Sequence, residues 1–232
     1  MEIAVIVPSR GRPQNAERLI QAMEETVSPG DNVTLVLAQD DDDEKYPILD
    51  SGVLPTNITF IHRIDERQGC MGTLNSLAIL YASDLYNFDI IGFMGDDHVP
   101  RTDAWNNQVA QALFCPGIVY GNDLYQGSKL PTAAFISSSI IRELGHMVPP
   151  TLYHLYCDNY WLMLGANAGC LRYLPGMIIE HVHPVAGKTE VDDGYLRVNS
   201  PEMINKDALA WKEWKETKLR DEVEKVKAML YG

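Results

Sequence analysis

Near its N-terminus the sequence reads Ile3-Ala4-Val5-Ile6-Val7-Pro8-Ser9-Arg10-Gly11-Arg12-Pro13. The first five residues are apolar and mostly β-branched, which favours a buried strand. A polar turn follows, and Pro13 suits the first turn of a helix. Apolar residues then recur at helical spacing, at Ala16, Leu19, Ile20 and Met23. This stretch therefore predicts a buried strand, a basic turn and an amphipathic helix.

The same alternation of strand and helix continues through the first hundred residues. Apolar runs predict strands at residues 33–38, 58–61 and 90–94, and a helix near residues 72–82. Strands that alternate with helices are typical of an α/β fold, with a mostly parallel sheet flanked by helices. In such sheets ligands bind beyond the carboxyl ends of the strands.

The second half of the sequence is less regular. Short apolar runs predict strands at residues 117–121, 133–137 and 177–182, and a helix at residues 158–165. Ser200-Pro201 is typical of a helix start, and apolar residues follow at Leu219, Val223, Val226 and Leu230. We expect one domain in residues 1–200 and a C-terminal amphipathic helical extension in residues 201–232. We expect this extension to pack either on the domain or on a partner subunit. In the second case the protein would be an oligomer.

Composition is that of a globular protein with one sizeable core. The chain has 232 residues, of which 46% are apolar and 22% are charged. The apolar runs are too short to span a bilayer, and Glu2 stands where a signal peptide is basic, so we expect a cytoplasmic protein without a membrane partner. The four cysteines are widely spaced, which indicates reduced thiols. The net charge of −13 disfavours extended binding to nucleic acid.

Acidic residues follow two of the predicted strands. One run is Asp40-Asp41-Asp42-Asp43, and the other motif is Gly95-Asp96-Asp97-His98. The first is no EF-hand loop, because Lys45 and Ser51 occupy its sixth and twelfth positions. A solvated loop is the alternative for this run. Adjacent acids with an imidazole at a strand end are typical of a Mg²⁺ or Mn²⁺ site.

Two further motifs carry groups that suit chemistry. In Glu180-His181-Val182-His183-Pro184, alternation places both histidines on one face of an extended segment. Either could bind a metal and the other a phosphate, and the rigid Pro184 beside His183 favours His183 as the metal ligand. A structural role is the alternative for both. Asp158 follows an apolar stretch and precedes two aromatic residues, a setting that suits a general base. Capping of the following helix is the alternative for Asp158.

In their order and spacing these motifs resemble the GT-A glycosyltransferases, specifically the family-2-like inverting enzymes, over residues 1–200. The compact length and the Gly-Asp-Asp-His form also resemble small phage-encoded members. The motifs that carry the resemblance are residues 3–8 with Ser9-Arg10, Ala38-Gln39-Asp40-Asp41, Arg67-Gln68-Gly69 through Asn75, Phe93-Met94-Gly95-Asp96-Asp97-His98, Asp158, and His181-Val182-His183.

The resemblance implies a metal-dependent enzyme that moves a sugar from a nucleoside-diphosphate sugar, expected to be a UDP-sugar, to an acceptor hydroxyl with inversion. It implies Asp158 as the catalytic base and Mn²⁺ or Mg²⁺ as cofactor, held by Asp97 with His183 or His181. The implied nucleotide-sugar-binding residues are Pro8, Ser9, Arg10, Arg12, Asp40, Asp41, Arg67, Gly69, Asn75 and Asp96. Gly95 departs from the family, which usually has an acid there. A phage enzyme would act in the host cytoplasm, on a hydroxymethylated DNA base, a glycan or a protein.

Three other functions would use a similar layout. A nucleotidyltransferase needs a glycine-rich loop after its first strand, and residues 8–12 contain too few glycines. A metal-dependent hydrolase could use Asp97, His181 and His183 around an activated water. A non-catalytic nucleotide-sugar-binding module would bind without turnover. No Gln-x-x-Arg-Trp motif follows Asp158, so a processive polysaccharide synthase is not expected.

Overall fold

A computed structural model gives the structure of residues 1–28, 33–45, 52–54 and 58–232. The strands in these ranges are β1 (Ile3–Ser9), β2 (Val33–Asp40), β3 (Gly52–Val53), β4 (Thr59–Asp65), β5 (Ile90–Phe93), β6 (His98–Pro100), β7 (Ile118–Asn122), β8 (Ala134–Ser137) and β9 (Leu171–His181). The α-helices are α1 (Pro13–Thr26), α2 (Cys70–Ala82), α3 (Trp105–Ala112), α4 (Ser138–Leu144), α5 (Cys157–Ala168), α6 (Asp193–Val198), α7 (Pro201–Thr217) and α8 (Leu219–Tyr231). Short 3₁₀ turns lie at Gly127–Lys129 and Pro184–Ala186.

The strands of the described ranges form one sheet in the order β3-β4-β2-β1-β5-β8-β7-β9-β6. The longest pairings, of β1 with β2 and of β2 with β4, are parallel, as are those of β1 with β5 and of β7 with β9. β8 runs antiparallel to both of its neighbours, and β6 runs antiparallel to β9. The predicted α/β fold, with a mostly parallel sheet flanked by helices, is confirmed as a mixed sheet.

Alternate residues of the strands build a core on each face of this sheet. In β1, Val5 belongs to the cluster with α1 and α3, whereas Ile6 belongs to the cluster with α2, α4, α5 and α8. Both side chains are fully buried. Burial on both faces explains why β1 is a continuous apolar run rather than an alternating one.

The order of the strands reverses beside β1. From β1 the chain passes to β2 and β4 on one side and returns to β5 on the other. Such a reversal opens a crevice between the carboxyl ends of the two central strands. Ser9 ends β1 and Asp96 follows β5, and the Ser9 hydroxyl donates a 2.5 Å hydrogen bond to Asp96. The chemistry-bearing residues of the N-terminal half meet at this point.

The C-terminal half differs in detail from the prediction. The sequence did not indicate β6, α3 or α4, and β9 begins at Leu171 rather than at residue 177. The expected terminal helix is two helices, α7 and α8, because Lys218 leaves the helical conformation at φ −123°. Both helices contribute buried residues to the core, Trp211 from α7 and Val223 and Val226 from α8. The division into residues 1–200 and 201–232 stays a prediction.

Candidate active site

A cavity of about 320 Å³ opens where the strand order reverses. The predicted site residues that line it are Pro8, Ser9, Arg10, Arg12, Asp40, Arg67, Gly69, Asp96, Asp97, Asp158, His181 and His183. Two predicted residues lie outside its lining. Asp41 is exposed, and the buried Asn75 amide bonds only to backbone, accepting from Met147 and Val148 and donating to Val148. Asn75 therefore holds a neighbouring loop in the structure.

Asp96 is the most buried acid of the crevice, at 5% exposure. It accepts hydrogen bonds from the Ser9 hydroxyl at 2.5 Å and from Arg12 Nη1 at 3.3 Å. Burial and the neighbouring Asp97 carboxylate raise the pKa of Asp96 to about 6, and Arg12 and Ser9 oppose that rise. Arg12 also donates to both carboxylate oxygens of Asp192, at 2.6 and 2.7 Å. Since Asp192 caps α6, Arg12 ties this helix to the crevice.

A cluster of possible metal ligands lies beside Asp96. One ligand atom each from Asp97, His98 and His181 lies within 4.8 Å of the others. The antiparallel pairing of β6 with β9 places His98 opposite His181, and their rings stack with centroids 4.3 Å apart. Asp97 lies 3.3 Å from a nitrogen of each ring. Burial alone would raise the pKa of Asp97, but the two imidazoles hold it well below its usual range.

The donor set of this cluster fits a divalent metal. The nitrogens beside Asp97 are Nδ1 of His98, which also accepts a 3.0 Å hydrogen bond from the N–H of Gly95, and Nε2 of His181. The other nitrogen of each ring is buried without a hydrogen-bond partner among the described residues. One carboxylate and two imidazoles suit transition metals and Mn²⁺ better than Mg²⁺. A side chain at Gly95 would bring its Cβ to 2.7 Å from Asp97 Oδ1 and 3.1 Å from His98 Nδ1. The cluster therefore leaves no room for an acidic side chain at position 95, where the family that the sequence resembles usually has one.

His183 lies next to this cluster rather than in it. Its ring centroid is 4.7 Å from that of His181, and it stacks on Tyr125 at 5.6 Å. Its Nδ1 accepts a 3.2 Å hydrogen bond from the backbone N–H of Val185, which occupies one nitrogen. The choice of His183 or His181 as the metal ligand stays a prediction, and the geometry favours His181. The sequence places His98 in the Gly95-Asp96-Asp97-His98 motif but does not identify it as a metal ligand. No local pattern shows that β6 pairs with β9, and this pairing is what brings His98 next to His181.

Charged pairs hold the opposite end of the cavity. Arg10 Nη1 donates to Asp40 at 2.8 Å and to Asp42, and Arg67 lies 3.4 Å from Asp42. The hydrogen bond from Arg10 lowers the pKa of the exposed Asp42. Asp43 accepts from the backbone N–H of Gly11 at 2.6 Å. The acidic run is thus a network that fixes the basic turn after β1 rather than a freely solvated loop.

Asp158 lies on the side of the cavity formed by the C-terminal half. It stands in the first turn of α5, where its Oδ1 accepts from the N–H of Asn159 at 2.8 Å. The N-cap of α5 is Tyr156, so Asp158 is not the cap of this helix. Burial raises the pKa of Asp158, and the Asn159 N–H and the charge of His181 partly oppose that rise. Asp158 is therefore a more basic carboxylate than an exposed aspartate.

The cavity also contains residues that the sequence did not single out as site residues. They include Cys70, Tyr153, His154, Cys157, Tyr195 and Arg197. Burial lowers the pKa of His154 to about 4, so it is neutral at physiological pH. Burial raises the pKa of Cys70 to about 12 and that of Cys157 in the same direction, so neither thiol is ionised. Nothing in the local sequence marks these residues, because they come together from α2, the loop before α5, α5 itself and α6.

Solved structures share this arrangement of strands and helices. A mannosyltransferase, PcManGT from Pyrobaculum calidifontis in complex with GDP-Man and Mn²⁺, has a TM-score of 0.56 and 14% identity over 98% of this chain and 73% of that chain. Glucosyl-3-phosphoglycerate synthase from Mycobacterium tuberculosis, with Mn²⁺, UDP and glucosyl-3-phosphoglycerate, has a TM-score of 0.57 and 12% identity over 90% and 79%. The chain has a GT-A-like fold.

S. aureus TarS 1-349 is also similar, with a TM-score of 0.55 and 13% identity over 94% of this chain and 75% of that chain. No family model matches the sequence, and no curated protein matches it either. Identities this low establish the fold alone. Among the described residues, no helix is both long and apolar enough to cross a membrane.

Proposed function

We propose that the protein is a metal-dependent glycosyltransferase that moves a sugar from a nucleoside-diphosphate sugar to an acceptor hydroxyl with inversion. One observation carries this proposal. A single cavity at the strand reversal brings together a metal-ligand cluster, several arginines and the partly buried carboxylate of Asp158. The solved structures of similar fold that contain a nucleotide and Mn²⁺ support the donor class and the cofactor.

The donor would occupy the half of the cavity formed by β1, β2 and β5. Arg10 and Arg12 lie at the carboxyl end of β1, where their guanidinium groups would neutralise a diphosphate. Asp40 would meet the base or ribose, and Asp96 the donor ribose or sugar. A UDP-sugar is the donor that we expect, with a GDP-sugar as the first alternative, because PcManGT was solved with GDP-Man.

Asp97, His98 and His181 would hold the metal, with His183 as the alternative imidazole. When bound, the metal supplies positive charge that stabilises the departing diphosphate. The preference of imidazole nitrogen for transition metals makes Mn²⁺ the better cofactor and Mg²⁺ the poorer one. The buried position of His98, at 2% exposure, would fix the geometry of the site before the metal enters.

Asp158 would act as the general base. The acceptor hydroxyl would give its proton to the Asp158 carboxylate while its oxygen attacks the anomeric carbon. The bond between that carbon and the diphosphate oxygen breaks, and the nucleoside diphosphate leaves with the bonding electrons. One displacement of this kind inverts the anomeric centre. Because burial raises the pKa of Asp158, the carboxylate is a stronger proton acceptor than an exposed aspartate.

The acceptor class that we propose is a hydroxymethylated DNA base, a glycan or a protein. Phage origin, which we propose only from the resemblance to small phage-encoded members, would favour the first. The net charge of −13 disfavours long contact with a DNA duplex, because phosphate contacts need clustered lysine and arginine. A DNA acceptor would therefore contact the protein through a single accessible base.

A screen of UDP- and GDP-sugars with Mn²⁺ tests the proposal. Chromatography should show nucleoside diphosphate released from one donor, stopped by EDTA and accelerated by one member of an acceptor panel. Cleavage of simple phosphoesters without any sugar-nucleotide preference would indicate a hydrolase. Release of pyrophosphate from a nucleoside triphosphate and a sugar phosphate would indicate a nucleotidyltransferase. Tight donor binding without turnover on any acceptor would indicate a binding module.

A further inference from the structure

A buried carboxylate of the C-terminal helices bonds to the loop that precedes α5. Asp207 of α7 has 0% exposure, and both of its oxygens face backbone amides. One oxygen accepts from the N–H of Tyr153 at 3.0 Å, and the other accepts from His154 at 2.8 Å and Leu155 at 2.7 Å. Bonds from amides to a carboxylate are charge-assisted and shorter and stronger than neutral ones. Asp207 thus fixes three consecutive amides.

The three residues whose amides Asp207 binds are followed by a strained residue, Tyr156, and then by the first turn of α5, which carries Asp158. Tyr156 has φ of +70° at the start of α5, a left-handed conformation that side chains other than glycine rarely adopt. Residues keep such conformations only where the surrounding structure determines them. The three amides bound by Asp207 immediately precede Tyr156, and Asp158 follows two residues after it. The anchor is therefore placed to hold the turn that aims α5.

A second contact ties the same loop to the donor side of the cavity. The carbonyl of Tyr153 accepts a 3.1 Å hydrogen bond from the N–H of Met71. The Tyr153 ring lies so close to Gly69 that a Cβ there would approach it to 2.5 Å. The loop is thus held between the first turn of α2 and Asp207. A shift of the loop would move Asp158 relative to the donor pocket.

We infer that Asp207 is a positioning residue, which holds the loop of residues 153–156 so that Asp158 meets the acceptor hydroxyl. The inference rests on the proposed function. It assigns the C-terminal helices a role in the reaction, although Asp207 itself does not line the cavity. Misplacement of a reacting group by about 1 Å can cost on the order of 10²-fold in rate. The loss of Asp207 should therefore lower the rate of transfer and leave donor binding intact.

Asp207→Asn is the principal test. The variant keeps the shape of the side chain but turns an NH₂ group toward at least one backbone N–H. We expect kcat for transfer to fall by roughly 10–100-fold, with the affinity for the donor nucleotide and Mn²⁺ unchanged. Hydrogen exchange of the amides of residues 153–155 should become faster. Val226→Ala is the control, because it removes buried volume from α8, outside the loop. It should lower Tm and leave kcat and this exchange unchanged.

Each outcome of this experiment decides the inference. An unchanged kcat in Asp207→Asn would overturn it, and so would an equal fall of kcat in Val226→Ala. If Asp207→Asn does not fold, Asp207→Glu keeps the charge but moves the carboxylate by one methylene, and the same loss of kcat is expected. A wild-type protein that transfers no sugar would overturn the proposed function together with the inference. An active wild type with an insensitive Asp207→Asn would overturn the inference alone.

Discussion

The carboxylates in and around the two halves of the cavity are held in different ways. In the N-terminal half, Asp40, Asp42 and Asp96 contact arginines that follow the first strand. In the C-terminal half, Asp158 and Asp207 accept hydrogen bonds from backbone N–H groups. The arginine pairs at the rim are partly exposed and are screened by salt. The backbone contacts are partly buried and depend on how the helices pack.

This difference assigns separate tasks to the two halves. Arginines at strand ends can bind a charged donor wherever the parallel sheet forms, since strand ends fix their position. A base that takes the proton of the acceptor hydroxyl as its oxygen attacks one carbon atom needs a position accurate to a fraction of an ångström. Buried amide contacts and packed helices supply that accuracy better than flexible ion pairs. Changes at Asp158 and Asp207 should therefore affect turnover, whereas changes at the arginine pairs should affect donor binding.

The largest effect is expected for Asp158→Asn. The variant keeps the volume of the side chain and removes the proton acceptor, so kcat for transfer should fall by roughly 10²–10⁴-fold. Calorimetry should show unchanged affinity for UDP with Mn²⁺, because the donor contacts lie in the other half. Asp103→Asn makes the same change at an exposed position outside the cavity and should be fully active. Surviving transfer in Asp158→Asn would mean that another residue is the base.

The next largest effect is expected for Asp97→Ala, which removes the carboxylate of the metal-ligand cluster. Affinity for UDP in the presence of Mn²⁺ should fall by about 10–100-fold, toward the value of the wild type in EDTA. In the wild type, Mg²⁺ should support weaker binding than Mn²⁺, because two of the three ligands are imidazoles. Asp84→Ala, at an exposed position, is the matched control. If UDP binds with the same affinity to Asp97→Ala with Mn²⁺, to the wild type with Mn²⁺ and to the wild type in EDTA, the metal has no role in donor binding and leaves the proposal.

The N-terminal half could be predicted from the sequence because its site residues follow the strands that carry them. The apolar run before Ser9 predicts the strand, and the rule for parallel sheets then places Ser9 and Asp96 at one edge. The 2.5 Å hydrogen bond between them spans 87 positions in the sequence. Local patterns thus predict that Ser9 and Asp96 lie close together, because general rules of topology constrain the order of strands in a parallel sheet.

The C-terminal half could be predicted only in part. The histidine pair was visible in the sequence, but His98 became its partner only through the pairing of β6 with β9. Asp207 occupies a helix in which polar and apolar residues are mixed, so no local signal separates it from an exposed acid. Its burial follows from how α7 packs on the loop before α5. Packing of this kind depends on the tertiary structure rather than on the spacing of residues.

A smaller effect separates the two histidines. Because His181 belongs to the metal-ligand cluster and His183 bonds to its own turn, His181→Ala should weaken Mn²⁺ binding by several-fold more than His183→Ala. The sequence alone, with a rigid proline beside His183, favours the opposite ranking. Titration of Mn²⁺ against both variants, followed by nucleotide affinity, decides between them. A larger loss in His183→Ala would restore that ranking, and no loss in either would make the pair structural.

The smallest expected effect is a pH dependence that distinguishes the two halves. A general base must be ionised, so kcat should fall as the pH drops through the pKa of Asp158. Burial raises that pKa above the ordinary aspartate value of 3.8, so the fall should begin at a higher pH than for an exposed carboxyl. In the donor half, Arg10 lowers the pKa of Asp42, but the pKa of Asp96 is raised to about 6, so protonation of Asp96 should change nucleotide affinity near that pH.

The measurement is kcat against pH at saturating donor, acceptor and Mn²⁺. At saturation, protons no longer displace the metal from the imidazole ligands, so the profile reports the ionisation of the base. The acid limb should disappear from the residual activity of Asp158→Asn. A limb that persists in Asp158→Asn would belong to another group, and a flat profile down to the pH of unfolding would contradict the raised pKa. Nucleotide affinity should be measured over the same pH range. If it is constant where kcat falls, the titrating group lies in the C-terminal half of the cavity, where Asp158 contacts a backbone N–H rather than an arginine.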